Sequence, residues 1–317
     1  MKDFRSVRIV FMGTPEFAVA SLDALCKSGC TIVGVVTAPD KPAGRGLELQ
    51  PSAVKKYAIE KGIPLLQPVK LRDPEFLQAL DNLKAELQVV VAFRMLPEVV
   101  WNRPALGTIN LHGSLLPQYR GAAPINWAII DGNSQTGVST FLLQQEIDTG
   151  QLLMSTPISI GPDETAGELH DKMKEIGAAL LVKTVQGWIE RTIVPTPQPD
   201  QSDSNQPLRH APKLTKETGQ IDWHQSAKTI HDLVRGLSPT PCAHTQLNGK
   251  FLKIIKSNPL SADRSLLPGQ VSTDGKTYLR FGCGEGTLDI AVLQLEGKKK
   301  MPVSEFLKGY RFEEGQK

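Results

Sequence analysis

Val7-Arg8-Ile9-Val10-Phe11-Met12-Gly13-Thr14-Pro15-Glu16-Phe17 decides the fold. Its first six residues are an apolar run with the length and β-branched content of a buried strand; Gly13 and Pro15 then turn the chain into an amphipathic helical pattern that reaches about Lys27. Thr31 to Thr37 repeats the strand character, so the opening is strand, helix, strand, with the two strands parallel and the helix as their crossover. The expected class is α/β, with a Rossmann-like, parallel-sheet N-terminal domain. The first turn holds one glycine, Gly13, where a pyrophosphate-binding fingerprint has three, which argues against a nicotinamide cofactor as the runner-up ligand.

Working outward, Pro51 to Lys61 and Pro74 to Leu83 read as helices, with Pro51 in a first turn. Leu87 to Phe93 is the next buried strand, and Ala105 to Leu111 another. Alternate residues of a strand share a face, so Asn110 and His112 emerge together at the C-terminal end, where parallel α/β sheets hold ligands. The bland alternative is a capped strand end with a structurally satisfied histidine. A further strand, Thr136 to Leu143, leads into Glu146-Ile147-Asp148-Thr149-Gly150, whose carboxylate can join the pair.

A chain of 317 residues exceeds what one core usually supports, so two domains are expected. No apolar run approaches the ~20 residues of a membrane helix, and Met1-Lys2-Asp3-Phe4-Arg5 leads directly into a strand; a cytoplasmic protein is expected. Cys26, Cys30, Cys242 and Cys283 form no Cys-x-x-Cys pair, which argues against a zinc site or a disulfide framework. Residues 209–317 carry 17 Lys and Arg against 11 Asp and Glu, a net +6, whereas residues 1–208 carry 19 against 22, a net −3. That asymmetry is compatible with a polyanionic partner and equally with a solvated basic face.

After the Asn110 and His112 strand end, Pro124 to Asp131 reads as a short helix and Asp163 to Arg191 as a long one, with capping-box spacing at Thr165-Ala166-Gly167-Glu168. His170 and Trp188 on that helix read as structural. Pro195, Pro197, Pro199 and Pro207 make Thr192 to Leu208 an extended, semi-rigid linker. Beyond it, one helix (Ser226 to Leu237) precedes short apolar runs with frequent glycine, and a smaller, OB-fold-like C-terminal β-barrel is expected. Domains are thus expected at 1–191 and 209–317, with the linker 192–208 between. Lys298-Lys299-Lys300 is ordinarily a charged turn; beside Lys250, Lys253 and Lys256 it is also a candidate RNA-backbone stripe.

Asn110-Leu111-His112-Gly113-Ser114-Leu115-Leu116-Pro117, then Tyr119-Arg120-Gly121-Ala122-Ala123-Pro124 and Asp148-Thr149-Gly150, resemble the signature of the folate-dependent formyltransferases. The resemblance extends over essentially the whole chain, and Ala211-Pro212-Lys213-Leu214 and Gly219-Gln220-Ile221-Asp222-Trp223 look like the start of that family's C-terminal domain. It implies Asn110, His112 and Asp148 as catalytic residues. It implies folate contacts at Ser114, Leu115, Leu116 and Pro117, and at Phe93 and Met95 near the strand end. It implies 10-formyltetrahydrofolate as donor, without a metal, and initiator methionyl-tRNA as acceptor for translation initiation. Asp40-Lys41-Pro42-Ala43-Gly44-Arg45-Gly46 reads by composition as an exposed loop; the resemblance makes it the insertion that enters the acceptor stem, with Lys41 and Arg45 as tRNA contacts. Leu47-Glu48-Leu49 departs from relatives that carry lysines there, and Arg94 stands where glycine is frequent. A monomer is expected.

Formyl transfer to an amine needs a group to hold an oxyanion and a group to take a proton. Asn110 and His112 supply N–H donors, and Asp148 orients His112 and helps accept protons. Two other classes stay open on the residues alone: a non-catalytic RNA- or nucleotide-binding protein, and a formyltransferase for a small amine such as glycinamide ribonucleotide or an amino sugar. The basic C-terminal domain and the Arg45 loop favour tRNA.

Overall fold

The computed structural model describes residues 3–43, 48–199, 207–260 and 265–312. In chain order the elements are β1 (Arg8–Gly13), α1 (Glu16–Lys27), β2 (Thr31–Val36), β3 (Lys41–Ala43), β4 (Glu48–Gln50), α2 (Ala53–Glu60), β5 (Leu65–Leu66), α3 (Pro74–Asn82), β6 (Leu87–Val91), α4 (Glu98–Trp101) and β7 (Thr108–His112). There follow β8 (Arg120–Gly121), α5 (Pro124–Ile130), β9 (Gln135–Leu142), β10 (Leu152–Ser159), α6 (Ala166–Ile189), β11 (His210–Ala211), α7 (Ala227–Gly236), β12 (Ala243–Leu247), β13 (Lys250–Leu260), β14 (Val271–Thr273), β15 (Leu279–Gly282), β16 (Thr287–Leu295), β17 (Met301–Pro302) and α8 (Val303–Gly309). The chain forms two compact units: Met1–Gly121 with Gly137–Ile158 and His170–His210, and Ala122–Thr136 with Ser159–Leu169 and Ala211–Lys317. The second unit therefore also takes in two segments that precede the proline-rich stretch.

The first unit is built on a seven-stranded sheet of order β10-β9-β7-β6-β1-β2-β5. β1 pairs in parallel with β2 and β6, and β6 with β7, as the opening crossover requires. The sheet is mixed rather than wholly parallel: β9 runs antiparallel to β7, with His112 opposite Ser139 and Asn110 opposite Phe141. The chain passes through β8 and α5 before adding β9, and no local pattern distinguishes an antiparallel return from a parallel one. Gly13 closes β1 because a Cβ there would lie 2.6 Å from Ala18 Cβ and 3.0 Å from the Val91 carbonyl oxygen. One face is sealed by Val10, Met12, Val36, Val90, Phe76, Leu80, Leu96 and Val100.

Caps explain where several helices begin. Ser52 accepts from the Lys55 amide at 3.0 Å, so α2 starts after it and Pro51 lies outside the first turn rather than within it. Asp73 caps α3, with Pro74 at its first position. Thr165 and Glu168 form the reciprocal box at the start of α6: the Glu168 amide donates to Thr165 Oγ1 at 3.3 Å, and the Thr165 amide to Glu168 Oε2 at 2.9 Å. That backbone N–H holds the Glu168 carboxyl below its usual range. Trp188 donates its indole N–H to the Leu106 carbonyl at 2.8 Å, and His170 packs on the Phe17 ring, so both are structural as read.

Two stretches differ from the sequence reading. Lys41–Ala43 and Glu48–Gln50 pair antiparallel, Lys41 opposite Gln50, so the expected loop has a two-stranded ribbon at its base. Residues 192–199 are docked rather than merely extended: Thr196 and Leu152 exchange both backbone hydrogen bonds, at 2.8 and 2.9 Å.

In the second unit an antiparallel sheet of order β12-β13-β16-β15-β14, with β17 on β16, packs against α7 and α8. Leu252, Ile254, Phe281, Leu288, Ile290 and Leu293 share one buried cluster with Ile230, Val234, Leu237 and Phe306, and the inward phase of β16 shifts between Ile290 and Leu293, where its register with β13 is irregular. Trp223 stacks on Phe281 at 4.5 Å between centroids.

Candidate active site

Alternation along β7 sends Leu111 toward Gly177 of α6 and turns Asn110 and His112 to the opposite face. His112 is 7% exposed, and its Nε2–H donates to the Tyr119 carbonyl at 2.9 Å. In the neutral ring that bond puts the lone pair on Nδ1, which faces Asp148 Oδ2 at 3.9 Å. Such a separation is too long for a hydrogen bond and short enough for charge attraction. The hydrogen bond that fixes the ring comes from Tyr119, and Asp148 faces it at charge-pair distance. Asn110 is half-buried, and its amide has no partner among the described residues.

Asp148 is 9% exposed and sits in the left-handed region at φ 55°. Its Oδ2 accepts the Gly121 N–H at 2.9 Å. Gly150 makes this turn possible, since a Cβ at that position would lie 1.7 Å from the Leu142 carbonyl oxygen. Gln198, 9% exposed, donates its amide N–H groups to the carbonyls of Asp148 and Gly150, both at 2.8 Å.

The loop after β7 is knit to itself and to β9. Ser114 is fully buried and donates to the Gln118 carbonyl at 2.5 Å, while Ser139 Oγ donates to the Ser114 carbonyl at 2.7 Å and accepts the Leu116 N–H at 3.1 Å. Leu115 lies against Gly137, and the Leu116–Pro117 peptide is cis. The Ser114 hydroxyl and the Leu115 side chain are thus engaged within the protein, and the loop's remaining polar offering is backbone. At the end of β6 the left-handed residue is Ala92, φ 47°, and not Arg94. Arg94 turns its guanidinium to the carbonyls of Pro68 and Val69 and lies over the Phe93 ring at 5.6 Å. Phe93 is partly buried, Met95 is 73% exposed, and an open depression of about 410 Å³ is lined by Lys70, Leu71, Arg72, Arg94, Met95, Leu96 and Pro97.

Lys41 is exposed at the foot of the β3–β4 ribbon, which is anchored next door by Lys55 on Asp40 at 2.6 Å; that ion pair holds the Asp40 carboxyl below its usual range. Arg45 lies outside the described residues. Among the described residues no group of three or more His, Cys, Asp or Glu is placed to hold a metal ion, and no helix is long and apolar enough to cross a membrane.

Residues 7–185 match the formyl transferase family model, and residues 213–311 match the model of the formyl transferase C-terminal domain. A methionyl-tRNA formyltransferase of Bacteroides fragilis is 49% identical over 97% of this chain and 96% of its own length. One from Parabacteroides distasonis is 50% identical over 96% of each. The chain belongs to the methionyl-tRNA formyltransferase family. Its fold is shared by the solved sugar 3N-formyl transferase WlaRD, at TM-score 0.67 and 18% identity over 92% of this chain and 99% of that one. What reading this formyltransferase sequence missed are the supports: the Tyr119 carbonyl, the Gly121 amide and Gln198. The first two lay inside a motif already singled out, whereas a glutamine among prolines gave no signal.

Proposed function

We propose that the chain transfers the formyl group of 10-formyltetrahydrofolate to the amino group of methionine on initiator methionyl-tRNA, with Asn110, His112 and Asp148 at the reacting centre. The observation that supports this most is a buried histidine with one nitrogen fixed by a backbone carbonyl and the other turned to an enclosed carboxylate, beside an amide with no partner. Neutral His112 takes a proton from the attacking amine at Nδ1. The imidazolium so formed is stabilised by Asp148 and donates toward the oxyanion together with Asn110. The new bond joins the methionine nitrogen to the formyl carbon; the bond from that carbon to the folate nitrogen breaks, and the proton passes to that nitrogen. Holding both substrates in register removes the need for an acylated residue.

The apolar strand end at Phe93, Met95 and Leu96 suits a flat ring, and backbone from Ser114 to Pro117 supplies polar contacts beside it. In this reading residues 1–191 are catalytic, 192–208 link, and the basic 209–317 region forms an OB-like barrel that grips tRNA with Lys41 and Arg45. The protein works in the cytoplasm as a monomer. The test offers methionyl-tRNA and glycinamide ribonucleotide as competing acceptors with 10-formyltetrahydrofolate. Formylation of the small amine in preference to the tRNA would overturn the acceptor assignment. Arg45→Ala should raise the Michaelis constant for methionyl-tRNA and leave that for folate unchanged; Lys should rescue partly, lacking the planar multi-donor fork.

A further inference from the structure

We infer that Gln198, held by Arg120, is a positioning residue for the transfer: its amide braces the Asp148 turn and thereby sets where the carboxylate stands against His112. The inference rests on the role proposed for Asp148. Both donors of the Gln198 amide are used, one on the Asp148 carbonyl and one on the Gly150 carbonyl, at 2.8 Å each. Its oxygen accepts from Arg120 Nε at 3.0 Å and Nη2 at 2.6 Å. These neighbours fix the amide's orientation, because reversal would set NH₂ against the guanidinium and oxygen against two carbonyls.

The turn needs such a brace. A non-glycine residue in the left-handed region is strained and persists only where its surroundings over-determine it. Gln144 to Ile147 are exposed, and the loop's own bonds are Gln144 Nε2 to Thr149 Oγ1 at 2.8 Å and Thr149 Oγ1 to the Glu146 carbonyl at 3.1 Å. Neither touches the Asp148 backbone. Gln198 does, at the Asp148 carbonyl, while the Gly121 N–H holds the carboxylate.

A plain tethering role for Gln198 is already filled. The proline-rich segment is fastened by the paired backbone bonds of Thr196 and Leu152, which need no side chain. Arg120 closes a circuit instead. Its neighbours Tyr119 and Gly121 hold His112 and the Asp148 carboxylate, and its own guanidinium holds the glutamine that holds the Asp148 backbone.

The test measures single-turnover formylation rates, Michaelis constants for both substrates and Tm for Gln198→Met and Gln198→Glu, alone and with Asp148→Asn. We expect each single change to slow the transfer about ten- to a hundredfold, as misplacement of a reacting group by ~1 Å does, with both Michaelis constants unchanged. Gln198→Glu keeps the length and the Arg120 partner but faces two carbonyls with acceptors. Its rate relative to wild type should rise as pH falls and the carboxyl regains a donor. On an Asp148→Asn background neither change should slow the rate further, since the effect passes through that residue. Unchanged rates with lowered Tm, or losses that simply multiply with Asp148→Asn, would overturn the inference. Asp148→Asn at wild-type rate would instead bring down the role proposed for Asp148, which a normal rate in the Gln198 variants alone would not.

Discussion

Each unit of this protein buries a histidine beside an aspartate, and the two pairs are built to opposite ends. In the second unit His231, 4% exposed, has Nδ1 at 3.1 Å from Ser257 Oγ and Nε2 at 3.3 Å from Asp163. The Asp163 side chain is 78% exposed, so its charge is largely solvated. Next to it Arg235 donates to Asp232 at 2.7 Å and to the carbonyls of Gly161 and Glu164 at 3.3 and 3.2 Å. Arg235 and Asp232 neutralise each other there, while His231 Nε2, which makes no hydrogen bond among the described residues, faces only that solvated carboxylate. In the first unit the carboxylate is enclosed, its backbone is left-handed, and it stops short of the ring. A carboxylate near a histidine is therefore no sign of chemistry by itself; the role proposed for Asp148 rests on its enclosure and on the scaffold that holds it off the ring.

The contrast is broken most directly by mutating the two rings. His112→Ala should lose about 10²–10³ in rate, by analogy with removal of one oxyanion donor, with Tm little changed. His231→Gln should leave the rate at wild type, and equal losses from both would erase the distinction. Asn110→Ala belongs with His112, at a similar cost in turnover. Gly150→Ala comes next: its methyl meets a backbone oxygen that cannot yield, so the Asp148 turn shifts, and we expect up to about a hundredfold loss of rate together with a lowered Tm.

The smallest effect is on stability against pH. Burial lowers the His231 pKa below its ordinary value, and burial does the same to His244 in the same unit. The unfolded chain therefore binds protons that the folded unit refuses. Stability is full above about pH 6.5, the ordinary histidine value, and falls as pH drops through it. Thermal melts between pH 8 and 5.5 should show this decline, and His231→Gln should flatten it in part. A slope untouched by His231→Gln would assign the decline to other groups.

Much of this was legible in the sequence wherever the information is local. The crossover from β1 to β2 follows from apolar runs around a turn, the start of α6 from Thr165 and Glu168, and the shared face of Asn110 and His112 from strand alternation. The antiparallel placing of β9 was not legible, because Gln135 to Leu142 has the same composition in either direction. The β3–β4 ribbon was hidden for a related reason: each of its strands is three residues long, below any periodic signal. The supports of the site were hidden by distance along the chain, Gln198 meeting Asp148 across 50 residues. Backbone groups such as the Tyr119 carbonyl are common to every residue type, so no residue choice advertises them.

The short span Tyr119 to Gly121 grips the imidazole by a carbonyl and the carboxylate by an amide, two residues apart on one strip of backbone. Ring and carboxylate thus hang from a common yoke. A substitution that displaces that strip would move ring and carboxylate as one body, and under the proposed roles the proton acceptor and its counter-charge would leave the substrates together.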